Sequence, residues 1–155
     1  MTPTSIVAEY DSSIQVQNQI LSLLIRDPDF CNANRAFVKP EYFSDEANTI
    51  IARIYFEKQD GSYTFDIHTL YDLIKRELSP SEKEYRPAIA SRLKRLFTMQ
   101  TQRKIVEEQV YAFYQKQEAL KAVVETATMV NKADYTKAVH HFNDCAKTFA
   151  VGKMS

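Results

Sequence analysis

Apolar residues recur at helical spacing along almost the whole chain, and proline and aspartate mark where one helix ends and the next begins. Met1–Tyr10 reads as a loose arm. Ser12 followed by Gln15 has the spacing of a capping box, and Val16, Ile20, Leu23 and Leu24 then fall on one helical face. In the run QILSLLIRDPDF, Pro28 disfavours helical geometry at Asp27 and so closes this helix. The same proline suits the first position of a new helix, with Asp27 as its cap and Asp29 near its positive end. Pro40 starts a single turn, and Ser44 is expected to cap a third helix whose core face is Ala47, Ile50, Ile51, Ile54 and Tyr55. Asp60-Gly61 breaks it, since glycine readily takes the left-handed geometry of a helix end. Asp66 is the expected cap of IHTLYDLIKREL. Ser79-Pro80-Ser81-Glu82 combines a cap, a first-position proline and a reciprocal glutamate. Pro87 is expected to restart that helix in a new direction, with Ile89, Leu93, Leu96 and Phe97 on one side.

Beyond Met99 the texture changes. Residues 101–131 hold no proline or glycine, and Val106, Val110, Phe113, Gln117, Leu120, Val124 and Ala127 recur in alternating steps of four and three, a heptad seam. Such a helix would be roughly 45 Å long. Asn131–Asp134 is a connector, and Asp134 caps a second helix carrying Tyr135, Ala138, Phe142, Cys145 and Phe149, flanked by Val139 and Ala146. The pattern predicts an all-α protein. A small multi-helix head (1–100) is followed by a long antiparallel helical hairpin (101–151), and 152–155 begins a linker or tail. Two thin helices cannot hide two broad apolar stripes from water, so self-association is expected, with Phe113, Leu120, Val124, Phe142 and Phe149 on the seams.

Composition narrows the class. The 155 residues are 45% hydrophobic and 26% charged, an ordinary globular mixture, and two glycines and five prolines argue against a β-rich fold with many tight turns. No apolar run approaches the length needed to span a bilayer, and the first residues lack the pattern of a signal peptide. Cys31 and Cys145 are far apart, without metal-like spacing, which fits a reduced, cytoplasmic protein. Formal net charge is zero, but the first sixty residues sum to −4 and the remainder to +4.

Little in the sequence suggests catalysis. Of the three histidines, His140 and His141 are adjacent and point to different faces of their helix, a poor metal pair. Cys145 on a seam behaves as a small hydrophobe. No phosphate-loop pattern is present; Gly152-Lys153 is only a dipeptide. No catalytic, cofactor-binding or metal-binding residue is expected. Arg92, Lys94, Arg95, Arg103 and Lys104 form the one dense basic region, a candidate nucleic-acid contact or an inter-subunit partner for the acidic first half.

The order of these signals resembles the N-terminal domain of the DnaB-type hexameric replicative helicases. The resemblance rests on the opening helix QILSLLI with its acidic turn; on Glu41-Tyr42-Phe43 and the helix after it; on Gly61 and Asp66-Ile67-His68-Thr69-Leu70; and on the final hairpin. It spans about Gln15 to Phe149. The glycine pair that many bacterial members carry before the hairpin is replaced by SEKEYRPAIASRLKRLF, which suggests a divergent, phage- or plasmid-like member. The resemblance implies a non-catalytic collar domain built from dimers, commonly a trimer of dimers. Such a collar contributes to ring assembly and docks primase or a helicase loader, through hairpin residues such as Tyr111, Tyr114 and Met129. ATP and Mg would belong to a motor domain absent from this sequence. The alternative expectation is a stand-alone helical adaptor, a loader or inhibitor that mimics the collar.

Overall fold

In a computed structural model the backbone is described for residues 3–59 and 65–154, and side chains for 14–59 and 65–147. Among the described residues there are helices and no strands: α1 (Pro3–Arg26), α2 (Pro28–Asn34), α3 (Glu46–Lys58), α4 (Ile67–Glu77), α5 (Arg86–Thr98), α6 (Arg103–Asn131) and α7 (Tyr135–Met154). Short 3-10 turns occupy Arg35–Phe37, Pro40–Tyr42 and Pro80–Tyr85. The protein is all-α, as the periodicity requires. It forms two compact units, Met1–Val110 and Tyr111–Ser155, with α6 running from the first into the second.

The first unit is organised around the C-terminal half of α1. From Gln17 to Ile25, every residue except Gln19 is buried. A helix enclosed on all sides is a core element rather than an amphipathic surface one. It packs against α2, α3 and α5. The helix begins at Pro3, so Ser12 lies within it rather than capping it, and the expected loose arm is helical from its third residue. The expected face of α3 is buried throughout, as are Ile89, Leu93 and Leu96 of α5.

Local capping follows the sequence closely. Asp27 accepts a hydrogen bond from the Phe30 amide at 3.1 Å and opens α2; Asp66 accepts from the Thr69 amide at 2.8 Å and opens α4. At α3 the expected cap is corrected by one residue. Asp45 accepts from the Asn48 amide at 3.1 Å, while the Ser44 amide and hydroxyl both donate to Gln17 Oε1. Asp60-Gly61 lies outside the described residues. The proline-rich segment divides into a 3-10 turn and then α5, which starts at Arg86 with Pro87 in its first turn.

Polar side chains on buried α1 tie the unit together. Ser22 Oγ donates to the Leu96 carbonyl at 2.6 Å, and Arg26 donates to the Met99 carbonyl at 2.6 Å. Both satisfy carbonyls at the end of α5, which has no following turn to pair them. Glu82 pairs with Arg53 of α3 through two bonds of 2.9 Å.

Candidate functional site: the apolar side of the hairpin

The turn between α6 and α7 is Lys132-Ala133-Asp134. The Asp134 amide donates to the Met129 carbonyl at 3.0 Å and the Ala133 amide to the Val130 carbonyl at 2.9 Å, the paired bonds of a Schellman helix end. Ala133 occupies the left-handed position at φ 60°, which glycine usually fills. Asp134 then accepts from the Lys137 amide at 3.3 Å and caps α7.

The two helices run antiparallel. Near the turn Glu125 of α6 meets His141 Nε2 at 2.5 Å, and His141 contacts Cys145 Sγ at 3.6 Å. Further along α6, Glu118 acts electrostatically on Cys145. Partners therefore diverge in sequence as distance from the turn grows, as a hairpin demands. Ala122 and Ala138 are both buried, because small side chains let helix backbones come close. The face of α6 toward α7 is thus Ala122, Glu125 and Met129, met by Ala138, His141 and Cys145.

That face is not the predicted heptad seam. At about 100° per residue, Leu120 and Val124 lie roughly 150° round α6 from the centre of the α7 contact. They continue the row that begins at Val106, Val110 and Phe113. The start of this row is buried, with Phe113 4% exposed, while Leu120 is 51% and Val124 64% exposed. Phe142 on α7 is 50% exposed. Of the residues expected on the self-association seams, Leu120, Val124 and Phe142 are therefore left uncovered by the single hairpin. The side chain of Phe149 lies outside the described residues.

Four further apolar residues of the hairpin are uncovered. Val123, Val130, Tyr135 and Val139 are exposed large hydrophobic side chains. Val130 and Thr126 of α6 line a shallow groove with Tyr135, Ala138, Val139, Phe142 and Asn143 of α7. Val123 and Val130 were accessible to sequence reading, because Leu120, Val123, Ala127 and Val130 also fit a helical row. A strict heptad frame drifts by about 20° per repeat against a straight helix and so favoured the neighbouring row.

The expected docking residues are less exposed than their positions suggested. Tyr111 and Tyr114 are half-buried, with ring centroids 6.2 Å apart, and half-buried Met129 sits in the contact with α7. The basic residues divide in a similar way. Arg92 is half-buried and engaged rather than free: its guanidinium donates to Asn48 Oδ1 at 2.8 Å and Asn18 Oδ1 at 3.1 Å and pairs with Asp45 at 3.4 Å. Arg103 pairs with Glu107 at 2.9 Å and Asp27 at 3.4 Å. Lys94, Arg95 and Lys104 are exposed.

The Cys145–His141–Glu125 group has the residue types of a nucleophilic site, yet its electrostatics are opposite. Burial, together with the carboxylates of Glu125, Glu118 and Asp144, pushes the Cys145 thiol above its ordinary range. An attacking cysteine needs its thiolate favoured. Burial likewise pushes the Cys31 thiol up. Among the described residues no group of three His, Cys, Asp or Glu side chains is set to hold a metal ion, and no helix is long and apolar enough to cross a membrane.

No protein-family model, curated protein or solved structure matches this chain.

Proposed function

We propose that this chain is a non-catalytic assembly domain that self-associates through its hairpin. In the cytoplasm it would serve as the collar of a hexameric replicative DNA helicase and dock primase or a helicase loader. The observation that carries assembly is the apolar groove lined by Val130, Tyr135, Val139 and Phe142, with Leu120, Val123 and Val124 also exposed on α6. An exposed apolar groove of this kind marks an interaction site rather than a monomer's ordinary exterior. A second copy offers the same surface, and a two-fold pairing of hairpins would cover both. The helicase assignment is supported by the motif order from QILSLLI through EYF and DIHTL to the hairpin.

Phe142→Asp separates assembly from folding. Because the ring is half-exposed in the single chain, aspartate there costs the isolated fold little, but it places an unpaired charge inside the paired hairpins at a cost of several kcal/mol. Light scattering is expected to show a dimer or larger species for the parent and a smaller one for the variant, with unchanged helical dichroism. A parent that stays monomeric at high concentration overturns the assembly reading. Titrating the cognate primase and loader against both proteins tests the docking role. The parent should bind more tightly than Phe142→Asp, with binding weakened but not abolished by salt. Binding to a helicase ring, without binding to primase or loader, would assign the adaptor role instead.

A further inference from the structure

Residues 86–106 carry six Lys/Arg and no Asp/Glu, in a chain whose formal net charge is zero. The structure sorts these six cations. Half-buried Arg92 is engaged by Asn18, Asn48 and Asp45, and exposed Arg103 is paired with Glu107 and Asp27. Arg86, Lys94, Arg95 and Lys104 are exposed and make no ion pair among the described residues. The solvent face of α5 is set by Pro87, Ser91, Lys94, Arg95 and Thr98, at helical spacing i, i+4, i+7, i+8 and i+11. Between the cations it presents only small or hydroxyl side chains, which allow a backbone to approach closely.

We propose that this face of α5, with Arg86, Lys94 and Arg95, binds the phosphate backbone of nucleic acid without reading its sequence. The alternative partner for a cationic face is an acidic protein surface, and the composition argues against it. Protein interfaces have an apolar centre within a polar rim. The exposed large hydrophobic residues lie on α6 and α7, and α5 contributes none. Charge without an apolar anchor suits a polyphosphate, for which phosphate contacts supply affinity and position. Nor does the face carry an asparagine or glutamine at the spacing needed to read bases, which predicts indifference to sequence. This reading stands whether or not the chain belongs to a helicase.

The test is fluorescence anisotropy of a labelled oligothymidylate titrated with the whole chain at several salt concentrations. Two to three single-strand phosphate contacts predict a slope of about −1.5 to −2 in log K against log salt. Lys94→Glu/Arg95→Glu should weaken binding at least about tenfold and flatten the slope by more than about 1. Lys94→Gln/Arg95→Gln should do the same to a smaller degree, and it serves if charge reversal perturbs the helical dichroism. Lys132→Glu/Lys137→Glu, which changes net charge equally on the hairpin, should leave binding unaltered. The proposal is overturned by no anisotropy change at low salt. It is equally overturned if the hairpin pair weakens binding as much as the α5 pair, or if polyglutamate competes as well as unlabelled oligothymidylate.

Discussion

Glu82 shows how one residue can serve two elements. Its Oε1 accepts from the Ser79 amide at 3.1 Å, closing the turn before α5, while its carboxylate grips Arg53 of α3. The Arg53 guanidinium is the main reason its carboxyl is lowered to about 2, with the Ser79 amide assisting. A folded-state value below the unfolded one means that the stabilisation is present above about pH 4.5. It is then lost as pH falls through about 2. Arg53 is 39% exposed, so water screens the pair and its worth is about 1 kcal/mol rather than the full shift. Glu82→Gln should therefore unfold about 1 kcal/mol more easily in urea at neutral pH, and the gap should close between about pH 4.5 and 2. A gap that persists at the acid end would assign the effect to lost packing. Arg92 belongs at this scale too. Its donors satisfy Asn18 and Asn48, residues 74 and 44 positions away, so a side chain that reads as a surface cation is a half-buried strut.

At the scale of elements, helix ends were the most readily foreseen features. Asp27, Asp66 and Asp134 cap the helices that follow them because a cap depends on residues within one turn. Ala133 is an exception of a different kind. Its left-handed backbone costs a residue with a Cβ roughly 1 kcal/mol or more, and the Schellman bonds hold it there. Ala133→Gly should raise hairpin stability by a few tenths to about 1 kcal/mol, with glycine's greater freedom in the unfolded chain offsetting part of the relief. Thermal melts followed at 222 nm check it; an unchanged or lower melting temperature would mean that the turn carries no strain. The packing of α6 was harder to foresee. Its apolar row is continuous from Val106 to Val124, but a row records only which side prefers to leave water, not what covers it. In this chain α7 takes a different side, built on Ala122 and Ala138.

For the molecule as a whole, the proposed pairing of hairpins predicts that stability depends on concentration. If pairing buries Val139 and Phe142, dilution should lower the melting temperature, because association stabilises the folded state by mass action. Phe142→Asp should remove that dependence. A melting temperature independent of concentration across a hundredfold dilution would contradict pairing. Sequence alone determined the all-α class, nearly every helix, the aspartate caps and the core face of α3, since periodicity and capping are local properties of a few neighbouring residues. It also showed that the apolar rows of the hairpin exceed what two helices can hide. Tertiary structure decided which row α7 covers, which residues remain open to a partner, and which cations face water. Those outcomes depend on contacts between residues distant in the chain: Arg92 and Lys94 are two positions apart, yet one meets Asn18 and Asp45 while the other meets solvent.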